Sequence, residues 1–194
     1  MPRFMVHLRN SSYSPKDATE LLHRARSLIG QRGLVVRDAR VSRKHIEFDL
    51  TVPEGFDVNA VVGRLGLIAP ADSIEEVVER HLSKVDAIGL AVRSFNEEKF
   101  WNAHEILEGV WKETRGNEKV VLNGIILVAA AFVHDEKDES SICLSILRRA
   151  LAKLESWEGL YFGIDIDRMA NHVRRIIDSG KIVRFSIWRV RPTG

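Results

Sequence analysis

From Val120 to Val133 the chain carries no charged residue and a single polar side chain, Asn123. A helix that is apolar on nearly every side cannot lie on a wet surface and belongs in the middle of a bundle. Gly124 and the run Ala129, Ala130, Ala131 leave room for neighbours to approach closely. The stretch is shorter than the roughly 20 apolar residues that span a bilayer, so it predicts a protein core. Helical periodicity on either side supplies what would surround it, with helices expected at about 74–93, 97–114, 118–134, 140–157 and 167–178. Leu144, Leu147, Leu151 and Leu154 form one apolar stripe, and Gly180 is placed to close the last helix.

The first third of the chain reads differently. Residues 3–9 alternate and favour a strand; Ser14-Pro15 then opens a helix that runs to Gly30. Residues 34–41 and 45–52 follow as two strands joined by a tight turn. In the second, Ile46, Phe48, Leu50 and Val52 alternate with polar neighbours, the mark of a sheet with one buried face. Asp57 caps a further short helix. Strand, helix, strand, strand, helix is most of a ferredoxin-like split βαβ module. Its fourth strand is missing locally: 67–69 is too short, and 74–78 reads as helix after a Ser73…Glu76 capping box. The β-branched and aromatic segment 182–190 is the better candidate, returning to the edge of this sheet or of a second copy.

The expected fold is therefore α+β: a ferredoxin-like module over 1–72, a helical bundle over 73–180, and a C-terminal strand over 181–194. Charge follows the same division. Residues 1–64 hold 11 basic and 7 acidic side chains, 65–180 hold 14 and 20, and 181–194 hold 4 and none. The lone Cys143 rules out an internal disulfide and sits in an apolar pattern, as expected of a core residue in a reducing, cytoplasmic setting. No leader sequence or membrane partner is expected.

The residues that bear chemistry concentrate in Phe95–Trp111. At about 100° per residue, Phe100, His104, Leu107 and Trp111 share one arc, and Glu108 meets His104 at i,i+4 spacing. Glu105 points away from His104, toward Trp101 and Lys112. Across the hairpin to the next helix, Asn123 falls level with Glu108, whereas His134 lies roughly 16 Å further along. Three readings compete. In the first, His104, Glu108 and Asn123 form a buried polar network that sets helix register. In the second, His104 and Glu108 ligate a metal; the pattern is His-Glu-x-x-Glu, without the second histidine of the zinc proteases. In the third, His104, Glu105 and Glu108 perform acid–base catalysis. Phe100, Trp101, Trp111 and Asn123 would line any such site. No cofactor is identified by these residues.

The same residues resemble domain-of-unknown-function family 309, a small all-helical domain whose pattern runs Phe-Asn, Phe, then Ala-His-Glu-x-Leu-Glu-x-x-Trp. Phe95-Asn96, Phe100, Ala103-His104-Glu105, Leu107-Glu108 and Trp111 match it, and Leu122–Ala129 aligns with the helix that follows. The resemblance spans about 84–157. Two glutamines of the family's second helix are here Asn123 and Leu127, which implies a smaller and drier site. It implies a helical fold and no particular activity.

The leading expectation is a non-enzymatic binding or scaffold protein whose buried His104/Glu105/Glu108 cluster organises the bundle. The alternative is a metal-dependent or acid–base, hydrolase-like enzyme using the same three residues. A second alternative is nucleic-acid binding through a basic N-terminal surface of Arg24, Arg26, Arg32, Arg37, Arg40, Arg43 and Lys44, which the lack of an aromatic-rich strand disfavours. His7, His23, His45, His81 and His172 are scattered and read as satisfied or surface residues. A homo-oligomer and an unidentified small-molecule ligand complete the expected partners.

Overall fold

A computed structural model describes residues 1–30, 33–78 and 82–190. The chain divides into two compact units: Met1–Arg80 together with Glu136–Asp138, and His81–Asp135 together with Glu139–Gly194.

In the first unit, β1 (Arg3–Arg9) leads through a short 3-10 turn (Pro15–Asp17) into α1 (Ala18–Ile29). β2 (Val35–Val41), β3 (His45–Thr51), α2 (Val58–Leu65) and β4 (Ala71–Glu76) follow. The sheet order is β2-β3-β1-β4 with every pair antiparallel, the ferredoxin-like arrangement. Val6, Leu8, Ile46, Phe48 and Leu50 bury one face against Leu21, Ala25 and Ile29 of α1 and Val61, Val62 and Leu65 of α2.

The fourth strand corrects the sequence reading. It is Ala71–Glu76, not 182–190, and it pairs with β1 through Val6↔Ile74 and His7↔Ser73. Its side chains give no amphipathic signal, since Ile74 is its one large apolar residue and is exposed. What places it is the open edge of β1, whose main-chain groups need partners. That demand overrides the helical capping pattern at Ser73–Glu76.

The opposite face of the sheet is polar yet buried. The registers Arg40↔Glu47, His7↔Glu47 and His7↔Ser73 set one residue of each strand in a single row. Glu47 ion-pairs with Arg40 and accepts from His7 Nε2 at 2.8 Å, and Ser73 Oγ lies 3.3 Å from His7 Nδ1. Arg3 grips Asp49 with two bonds of 2.8 and 2.6 Å. Burial opposes the charge on Glu47, but the His7 hydrogen bond and the Arg40 guanidinium outweigh it and hold the carboxyl well below the usual range. Arg40 thus leaves the surface expected to be basic. Arg24 donates to Tyr13 and the Leu67 carbonyl, Arg26 to the Val36 carbonyl, and Arg37 to Thr51. Arg32 and His81 lie outside the described residues.

The second unit holds α3 (Lys84–Asn96), α4 (Phe100–Glu113), α5 (Gly116–Asp135), α6 (Ser140–Leu154) and α7 (Ile166–Ser179). A two-stranded ribbon of β5 (Leu160–Tyr161) and β6 (Ile164–Asp165) precedes α7. α5 is the central helix: Val121, Leu122, Ile125, Val128, Ala129 and Phe132 are all buried. A Cβ on Gly124 would come within 3.2 Å of the Leu154 main chain, so the glycine lets α5 and α6 touch. The expected apolar run is part of a 20-residue helix whose most apolar 18-residue window has a mean hydropathy of 1.5 and would suit a bilayer by length and composition; half of that window is buried inside the protein. Burial raises the Cys143 thiol, with help from the Asp135 charge, to about 12. The Tyr161 hydroxyl, buried and donating to Glu118 at 3.2 Å, is pushed upward as well.

The segment 182–190 is a strap on this helical unit rather than a strand of the sheet. Asn96 Nδ2 donates to the Ile187 carbonyl at 2.9 Å, and the Ile187 N–H donates back to Asn96 Oδ1 at 2.7 Å. Arg184 bonds Glu98 at 3.1 Å and Asp135 at 3.0 Å and lies over the Phe100 ring. Phe185 joins Phe95 and Phe132 and stacks on His172. The Val190 N–H ends on the Gly163 carbonyl at 2.8 Å, where Gly163 has φ +82° and a Cβ would strike the Val190 oxygen. The β-rich composition expresses itself as extended chain held by side chains along its length and by a single antiparallel bridge, Ile164 to Arg189, at its end. Residues 191–194 of the expected strand lie outside the described part.

Candidate functional site

α4 is built on the stripe Phe100, Ala103, Leu107 and Val110, which is buried against the bundle. Glu98 turns the chain into it with φ 63°, and Thr114 closes it by donating its hydroxyl to the Val110 carbonyl at 2.8 Å. Ala103 and Val110 pull the centre of that stripe away from residue 104. His104, Glu108 and Trp111 therefore occupy its flank, and Glu105 lies further round toward solvent. This corrects the expectation of a buried cluster: the His104 side chain is 24% exposed and that of Glu105 is 41% exposed.

On this flank the groups converge. His104 Nδ1 lies 3.4 Å from Glu105 Oε1, and one ligand atom from each of His104, Glu105 and Glu108 falls within 4.8 Å of the others. Adjacent residues on a helix diverge by about 100°, so side-chain rotation rather than helical spacing brings Glu105 to His104. Among the described residues no hydrogen bond joins His104 to Glu108, and the half-buried Asn123 bonds neither. The polar network expected of His104, Glu108 and Asn123 is therefore not formed.

The aromatic residues divide. Phe100 is a core residue, stacked on Phe132 at 4.9 Å and set edge-on to Phe95 at 4.9 Å, and does not line the flank. Trp101 and Trp111 are half-buried on α4. Lys119 lies 4.0 Å over the Trp111 ring. The Trp111 Nε1 is buried without a hydrogen-bond partner among the described residues. His134 belongs elsewhere, 2.5 Å from Glu139.

Two polar systems escaped the sequence reading. One is the Arg40–Glu47–His7–Ser73 row, whose members are far apart in sequence and meet only through strand register. The other is the Asn96/Glu98/Asp135 receptor for the strap. Its sequence signal was present: Phe95-Asn96 heads the recognised motif, and both residues hold the strap.

Fold and site together define an α+β protein with a ferredoxin-like sheet unit and a helical unit that displays a His/Glu group on one helix flank. Within the helical unit, residues 88–145 match the model of the family described as Domain of unknown function (DUF309). The match begins in α3 and ends in α6, so it takes in Asn96, His104, Glu105 and Glu108. No curated protein matches the chain.

Proposed function

We propose that the protein is a binding protein whose α4 flank takes a divalent cation of the zinc or manganese type through His104, Glu105 and Glu108. The observation that carries this reading is the convergence of one imidazole nitrogen and two carboxylate oxygens within 4.8 Å on a partly solvated surface. One nitrogen and two oxygens suit such ions, and solvent access leaves room for further ligands. Glu108 supports the reading because its carboxylate has no hydrogen-bond or ion-pair partner among the described residues.

Calorimetric titration of the full chain with zinc and then manganese tests it. One equivalent should bind, and Glu108→Gln and His104→Gln should each weaken binding at least tenfold. Binding unaffected by either change, or no binding, overturns the proposal. Acid–base chemistry is the second reading, favoured by the His104–Glu105 contact; turnover of a hydrolysable substrate lost in both His104→Gln and Glu105→Gln would support it. The buried lone Cys143 suits a reducing, cytoplasmic setting.

A further inference from the structure

The strap and α7 enclose a shallow cleft remote in sequence from the α4 flank. Its lining includes Arg168, Met169, His172, Phe185, Ile187 and Trp188. Trp188 is 66% exposed, an unusual position for the largest apolar side chain. The Arg168 guanidinium lies 5.2 Å from the centre of its ring and occupies one face.

Arg168, His172 and Arg175 stand at i, i+4 and i+7, on one stripe of α7. His172 lies flat on Phe185, with centroids 4.8 Å apart and 8° between planes. Burial, with the charges of Arg168 and Arg175 beside it, lowers its pKa. Some cations of this unit are matched to acids, among them Arg174 to Glu155, Arg184 to Glu98 and Asp135, and Lys84 to Glu118. Among the described residues Arg168 and Arg175 have no carboxylate partner. One acid lines the cleft, Asp165, and its side chain caps α7 by accepting the Arg168 N–H at 2.9 Å.

An exposed indole beside unmatched cations needs a partner that is both flat and anionic. From this juxtaposition we propose that the Trp188 cleft is a binding site for single-stranded nucleic acid, with a base stacked on Trp188 and phosphates on Arg168 and Arg175. A base offers a π-face to the indole and its phosphates offer charge to the arginines, the combination that sequence-tolerant single-strand binders use. An acidic peptide would satisfy the arginines and leave the indole in water. A duplex keeps its bases stacked inside and out of reach.

Fluorescence anisotropy of the full chain with labelled oligo-uridine and oligo-thymidine of about 12 nucleotides at ~50 mM salt tests the proposal. Single strands should bind, with Trp188→Ala weakening affinity by about tenfold and Trp188→Phe restoring much of it. Two phosphate contacts predict a log–log salt slope of about −1.4, and Arg168→Ala with Arg175→Ala should bring it close to zero. Trp188 is exposed, so thermal melting of its variants should match that of the unaltered protein. No binding by the unaltered protein, binding indifferent to Trp188→Ala, or equal Trp188-dependent affinity for a duplex or a polyglutamate peptide each overturns the proposal.

Discussion

The side-chain amide of Asn96 makes both hydrogen bonds of a β-bridge to the main chain of Ile187, 91 residues further on. One side chain on α3 thereby does what a neighbouring strand would do and holds the C-terminal segment in extended form. Asn96→Ala should cost about 1–3 kcal/mol, because it also strands the Ile187 amide and carbonyl. Denaturant unfolding measures the loss, and limited proteolysis should show new cleavage between Lys181 and Val190.

Arg184 is the second anchor, its side chain 8% exposed between Glu98 and Asp135. Breaking a buried pair leaves an uncompensated charge, so Arg184→Met alone should destabilise by about 3–5 kcal/mol. Adding Glu98→Gln should recover part of that loss. A double-mutant cycle by chemical denaturation checks the sign of the recovery.

Acid should unfold the sheet unit through Glu47. Its folded pKa is depressed, so its contribution is complete above the unfolded value of about 4.3 and fades as pH falls toward the folded value. Melting temperature measured from pH 6 down to pH 2 should therefore drop most steeply below about pH 4.3. Glu47→Gln should lower stability at neutral pH and flatten that acid limb.

His104→Gln should barely change stability, by no more than about 0.5 kcal/mol, since the imidazole is partly exposed and makes only one long contact. A loss of several kcal/mol would restore the architectural role that the buried-cluster reading assigned to it.

Cys143 should resist thiol reagents in the folded protein. Burial pushes its pKa up to about 12, so almost no thiolate is present at pH 8. Reaction with a chromogenic disulfide should follow unfolding, and its rate in graded denaturant should track the unfolded fraction.

The sequence by itself determined what depends on local periodicity and capping. The charge-free run specified a central helix because no surface could host it, and α5 is that helix. Alternation at Ile46, Phe48 and Leu50 specified the apolar face that packs on the helices, but not that the polar face with His7, Glu47 and Asp49 would be buried as well. Asp57 caps α2 through the Asn59 N–H as its type predicts. The Phe-Asn…Ala-His-Glu-x-Leu-Glu-x-x-Trp pattern located the stretch that matches the family model. Tertiary structure decided what depends on pairing between distant groups. Ala71–Glu76 becomes a strand because β1 has an open edge, although its own residues favour a helix cap. The β-rich 182–190 becomes a strap because Asn96, Glu98 and Asp135 offer partners that no local pattern encodes. His104 stands on a flank because the buried stripe of α4 is set by all its neighbours together, and a rotation of some tens of degrees separates a core histidine from a solvated one.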